Sequence, residues 1–147
     1  MFKLFSLIAA FFLSVTLSGC ISNPEPPSTG VALNISASAE MNGGLPTQVK
    51  VYYLTSDASF RSGDFFALFN EPEATLGSDL VAVDDFQLAP GRSVSDSRSF
   101  AQAPGAIGVV AAFRDIDGSR FLASRALIPD SPNAVSVSIG ANTVSIR

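Results

Sequence analysis

The C-terminal stretch NAVSVSIG, residues 133 to 140, limits the fold most tightly. Val135, Val137 and Ile139 alternate with Ser136 and Ser138. A period of two puts the aliphatic side chains on one face of a strand and the serines on the other. A helix would scatter both sets around its axis. NTVSIR at 142–147 repeats the pattern with Val144 and Ile146 inward. The Gly140-Ala141-Asn142 turn between them predicts a hairpin with one dry face and one wet face.

The same alternation recurs upstream. VALNISAS sets Val31, Leu33 and Ile35 against Ala32, Asn34 and Ser36, and QVKVYYL sets Val49, Val51 and Tyr53 against Lys50, Tyr52 and Leu54. IGVVAAFRD and RFLASRALI flank DIDGS as a further hairpin. LVAVDDFQL and RSVSDSRSF meet at the turn Ala89-Pro90-Gly91. About eight short strands with turn signals between them predict an antiparallel β-sandwich. Apolar residues make up 47% of the 147 and charged residues 15%, enough for a core and too apolar for disorder.

One segment departs from this period. Between Ser56 and Leu80, Phe65, Leu68 and Phe69 fall at i, i+3 and i+4 and share a helical face. Ser62 or Asp64 can cap the start of such a helix, and Pro72 ends it. Pro72 can then begin a second short helix that closes at Gly77. Short helices inserted between strands 2 and 3 are therefore expected, packing an aromatic face on one sheet or one end of the sandwich. An apolar ligand pocket lined by Phe65 to Phe69 is the competing expectation.

The N-terminus carries a different kind of signal. Lys3 precedes an apolar run from Leu4 to Val15, too short to span a bilayer, which needs about 20 residues. Leu17-Ser18-Gly19-Cys20 follows and resembles the bacterial lipobox. That resemblance implies a signal peptide at residues 1–19, removed before Cys20, and acylation (palmitate among the chains) of the sole cysteine. Several acyl chains hold far more firmly than one, since each buried methylene contributes about 0.8 kcal/mol. Ile21 stands where an aspartate would favour retention at the inner membrane, so the expected destination is the outer membrane. Residues 20–30, with Pro24, Pro26 and Pro27, read as a tether of roughly 30 Å at ~3.1 Å per residue. The sandwich is expected over 31–147.

Composition narrows the chemistry. There is no histidine and a single cysteine, so the commonest general base, any Cys/His zinc site and any internal disulfide are excluded. The net charge is −4 with no lysine or arginine cluster, so no nucleic-acid partner is expected. Asp115-Ile116-Asp117-Gly118-Ser119 has the composition of a calcium-loop opening, but its glycine comes fourth and the twelfth position is Ala126, so a turn is expected. Asp84 and Asp85, adjacent on a strand, point to opposite faces and read as solvated charges near an edge. Arg114, Arg120 and Arg125 are expected to pair with Asp115, Asp117 or other acids across strands. No cofactor, metal or catalytic residue is predicted. A hydrolase using carboxylates alone has no positive signal.

Four segments taken together, VKVYYL, FFALFNEPEATLGSDLV, FQLAPG and GVVAAFRDIDGSRF, resemble in order and spacing the type VI secretion lipoprotein family TssJ, also called SciN. The resemblance implies a transthyretin-like sandwich of eight strands without enzymatic activity. It implies a lipoprotein on the periplasmic side of the outer membrane that binds the periplasmic C-terminal domain of TssM, in a complex with TssL. Multiple copies would enter the assembly, with the isolated domain a monomer. The contact implied is the loop joining the first two strands, here Ala39 to Thr47, with Glu40, Met41, Asn42, Gly43, Gly44 and Leu45 as candidate residues. Met41 and Leu45 are apolar where polar residues would be ordinary, Gly43-Gly44 permits positive φ, and Glu40 and Asn42 offer a polar rim. A plain loop with Met41 and Leu45 folded back on the domain is the alternative. A lipid-anchored sandwich gripping a small apolar or glycan ligand is the alternative function.

Overall fold

The computed structural model describes residues 22–25 and 27–147. The expected signal peptide, Cys20, Ile21 and Pro26 of the tether lie outside the described residues. Eight strands form two four-stranded sheets: β1 (Thr29–Ala37), β2 (Thr47–Leu54), β3 (Leu80–Leu88), β4 (Ser93–Phe100), β5 (Ala106–Ala111), β6 (Leu122–Ala126), β7 (Pro132–Ile139) and β8 (Val144–Ile146). One sheet has the order β4-β1-β7-β8 and the other β3-β2-β5-β6. The inward residues follow the alternation in the sequence. Val31, Leu33, Ile35, Val135, Val137, Ile139 and Val144 of the first sheet meet Val49, Val51 and Tyr53 of the second in one buried cluster. Ser136, Ser138 and Ser145 face solvent.

The sandwich is not wholly antiparallel, as the sequence had suggested. β1 pairs with β7 in parallel, Gly30 opposite Pro132 through to Ala37 opposite Ile139. Parallel neighbours need a long crossover, and here five strands and the helices separate the two. The β5–β6 and β7–β8 connections are hairpins. The β1–β2 loop and the Ala89-Pro90-Gly91 turn instead carry the chain from one sheet to the other. Local sequence marks both as turns, but a turn's composition does not say which sheet the next strand joins.

Three short helices lie between β2 and β3: α1 (Ala58–Arg61), α2 (Phe65–Asn70) and α3 (Pro72–Leu76), followed by a single turn at Gly77–Asp79. Asp64 caps α2, its carboxylate accepting from the Ala67 N–H at 3.2 Å. Pro72 opens α3 and Gly77 closes it. These helices bury the outer face of the second sheet. Tyr52, Leu54, Ala106 and Val110 pack there with Phe60, Phe65, Leu68 and Leu76 as a second core. β2 is thus buried on both faces, which explains its run Tyr52-Tyr53-Leu54. The Tyr52 hydroxyl donates to the Leu68 carbonyl at 2.8 Å and Lys50 Nζ to the Phe69 carbonyl at 2.8 Å. Both satisfy carbonyls near the C-terminus of α2, where cations and donors are favoured.

Candidate functional site

β1 begins at Thr29, next to the expected tether, and ends at Ala37, where the chain enters the candidate loop. Nine residues of strand cover roughly 26 Å. The candidate residues therefore sit at the end of the sandwich opposite the start of β1. The β3–β4 turn, the β5–β6 loop and the β7–β8 turn close the same end, since β3, β5 and β7 all finish there.

Asn42 holds three of these segments together. Its backbone is left-handed, with φ 51 and ψ 36, a conformation asparagine tolerates better than most residues. Its side-chain oxygen accepts the Arg114 N–H at 2.8 Å, and its own N–H donates to the Ala141 carbonyl at 3.0 Å. Gly43 and Gly44 follow at φ 68 and 82, so the positive φ expected of this pair is present. The Gly44 N–H returns to the Met41 carbonyl at 2.9 Å. A cleft of about 390 Å³ opens between Asn42, Gly43, Phe113, Arg114, Ala141 and Asn142.

The two apolar residues of the loop part company. Met41 is fully buried and belongs to the sandwich core. It anchors the loop from beneath and offers no side chain to a partner. Leu45 is 41% exposed. Glu40, Gly43 and Gly44 are exposed and Asn42 is largely buried. The surface available to a partner is thus Glu40, the Gly43-Gly44 backbone and Leu45, bordered by the cleft.

Arg114, Arg120 and Arg125 do not form the expected cross-strand ion pairs. Among the described residues the ion pairs are Lys50 with Asp85 and Arg98 with Asp84. The DIDGS segment is part of a ten-residue connection, so its acids do not lie opposite strand arginines. Arg120 is instead tied by its backbone to Asn142 and Val144 at 2.9 Å each. Asp115 closes a turn, its side chain accepting the Gly118 N–H at 3.1 Å. Among the described residues no three acidic side chains gather as a metal site. Asp84 is paired rather than simply solvated, and Asp85 is exposed.

The helical aromatics are closed. Phe65 stacks on Phe69 at 5.1 Å and meets Phe121 edge-on at 5.5 Å, with Phe60 and Leu68 fully buried. Phe60 lies so close over Gly108 that a Cβ there would come within 2.5 Å of its ring. Packing of this kind leaves no open apolar slot between α2 and the sheet.

The fold is a two-sheet β-sandwich with short helices over one sheet, without a catalytic constellation among the described residues. Residues 29–142 match the family described as type VI secretion lipoprotein, VasD, EvfM, TssJ, and the chain belongs to that family. Its members are non-catalytic lipoproteins of the outer membrane and periplasm, and this chain is not an enzyme. The T6SS lipoprotein TssJ1 from Pseudomonas aeruginosa is similar at 28% identity and a TM-score of 0.78, over 82% of this chain and 96% of that one. Serratia marcescens Lip, a membrane-bound component of the type VI secretion system, is similar at 27% identity and 0.72, over 82% and 97%. A chain in a structure described as the T6SS protein TssM C-terminal domain (869–1107) from EAEC matches at 28% and 0.67, over 80% and 99%. No curated protein matches the chain.

Proposed function

We propose that the chain is a lipid-anchored scaffold that binds the periplasmic C-terminal domain of TssM through its β1–β2 loop. In this reading the signal peptide 1–19 is removed and Cys20 is acylated in the outer membrane. The residues between Cys20 and β1 tether the sandwich to the lipid, and TssL completes the bridge to the inner membrane. The observation that carries it is the run of β1 itself, which starts at the tether and ends at the candidate loop. The anchor thus attaches at one end of β1, and Glu40 to Leu45 lie at the other. The relative in the TssM structure adds support. That chain, 99% covered by four-fifths of this one, is far shorter than the 869–1107 span named there, so it is a separate chain.

The test mixes the TssM C-terminal domain with membranes carrying the protein and follows both by fractionation. The wild type brings the domain into the outer-membrane fraction. Cys20→Ser, unacylated and either unprocessed or soluble, does not bring the domain into the outer-membrane fraction. A domain that stays soluble beside the membrane-bound wild type overturns the proposal.

A further inference from the structure

The tether end of the sandwich carries the most exposed large apolar side chain among the described residues. Ile128, 64% exposed, stands on the β6–β7 loop with exposed Ala126, Pro129 and Pro132 around it. Lone exposed aliphatics are ordinary on protein surfaces. This one is held out by a dedicated frame. The buried Asn133 side chain accepts the Ile128 N–H at 2.8 Å and donates to the Ile128 carbonyl at 2.9 Å and the Gly30 carbonyl at 3.2 Å. The fully buried Thr29 hydroxyl accepts the Asp130 N–H at 2.8 Å. Asp130 is left-handed at φ 54, a strained state for a non-glycine residue. A buried amide and a strained backbone are thus spent on fixing a loop whose tip is an isoleucine. The loop is bonded to the first two residues of β1, where the tether enters.

We propose that the Ile128 loop rests on the lipid surface that holds Cys20 and sets the tilt of the sandwich on it. This rests on the anchor reading above. The tether alone would leave the domain free to tip, because its reach is as long as the domain. It also keeps the loop at high effective concentration over the bilayer, so a contact too weak to bind a free protein suffices. Ile128 and the flanking prolines enter the headgroup boundary, and the exposed Asp130 stays in the aqueous layer. With the loop seated, β1 points away from the membrane and the Leu45 end faces the periplasm.

The chain has no tryptophan, so one placed at a single position reports on its own surroundings. Ile128→Trp and Leu45→Trp are produced in lipidated form, with Cys20 acylation read by mass spectrometry. Each is reconstituted into phosphatidylethanolamine and phosphatidylglycerol vesicles with brominated acyl chains. Position 128 should show blue-shifted emission and severalfold stronger quenching than position 45. Equal, weak quenching at both positions overturns the proposal. If no acyl chain is found on Cys20, the anchor reading alone fails. The same variants coupled through that only thiol to a maleimide lipid then decide the seating of Ile128 by the same comparison.

Discussion

Arg98 Nη1 lies 3.0 Å from both carboxylate oxygens of Asp84, joining the edge strand of one sheet to the edge strand of the other. Asp84 lies opposite Val51 and Arg98 opposite Val31, so both are on the core-facing side of their strands. The guanidinium also covers the rings of Phe100 and Tyr53 at 5.0 and 5.4 Å. Inward-pointing charge on edge strands discourages pairing with another chain, and here the two charges satisfy each other across the open side of the sandwich. One nitrogen serves both oxygens and the Arg98 and Asp84 side chains are 36% and 26% exposed, so the pair is modest in strength. A double-mutant cycle with Arg98→Ala and Asp84→Ala should give a coupling of about 0.5–1 kcal/mol in urea unfolding, smaller in high salt.

The two adjacent tyrosines should answer oppositely to loss of their hydroxyls. Tyr52 donates to Leu68, whereas the buried Tyr53 hydroxyl has no hydrogen-bond partner among the described residues. Tyr52→Phe should cost about 1 kcal/mol, and Tyr53→Phe should be neutral or stabilising by a similar amount. Burial, and to a lesser degree Asp84, pushes Tyr53 up to about 12, and burial followed by Asp85 pushes Tyr52 higher still. A pKa raised on folding means stability fully present below the unfolded value near 10 and lost as the pH climbs through the folded one. Thermal unfolding followed from pH 8 to pH 12 should therefore fall above about pH 10. The fall should be shallower in either phenylalanine variant.

Much of this fold was legible in the sequence because strand alternation and helix caps are local. Val135-Ser136-Val137 declares its two faces, and Ser62 or Asp64 with Pro72 brackets a helix without reference to any other element. The parallel pairing of β1 with β7 was not legible, because nothing in either strand states its neighbour's direction. Nor was the division of labour between Met41 and Leu45. Both are apolar loop residues, and only the approach of the core beneath the turn at Asn42 decides which one is buried. The Asn133 frame under Ile128 was missed for a related reason: an asparagine opening a strand reads as an ordinary turn residue until its partners at Gly30 and Ile128 are known.

Gly108 is fixed by the ring above it. A methyl group there meets Phe60 at 2.5 Å, and both lie in packed surroundings. Gly108→Ala should cost about 1–3 kcal/mol by overpacking. Phe60→Leu in the same chain should recover part of that loss, measured as a rise in urea midpoint over Gly108→Ala alone.

Asn42 should matter to the distal loop end more than to the core. Asn42→Ala removes the bond to Arg114 and places a β-carbon residue without a polar side chain in the left-handed region, at a cost of about 1–2 kcal/mol. Hydrogen exchange should speed up at the Arg114 amide while the β2 and β5 amides stay protected.

The central claim is that the Leu45 end of the sandwich meets the TssM C-terminal domain. Calorimetric titration of that domain with wild type, Leu45→Asp and Phe66→Asp tests it most directly. Leu45 and Phe66 are both exposed apolar residues, at 41% and 61%, but Phe66 belongs to α2 on the outer face of the second sheet and not to the β1–β2 loop. Leu45→Asp should weaken binding at least tenfold, and Phe66→Asp should leave it within twofold of wild type, about 0.4 kcal/mol against 1.4 or more. Equal affinity for wild type and Leu45→Asp, or a greater loss from Phe66→Asp, would contradict the account.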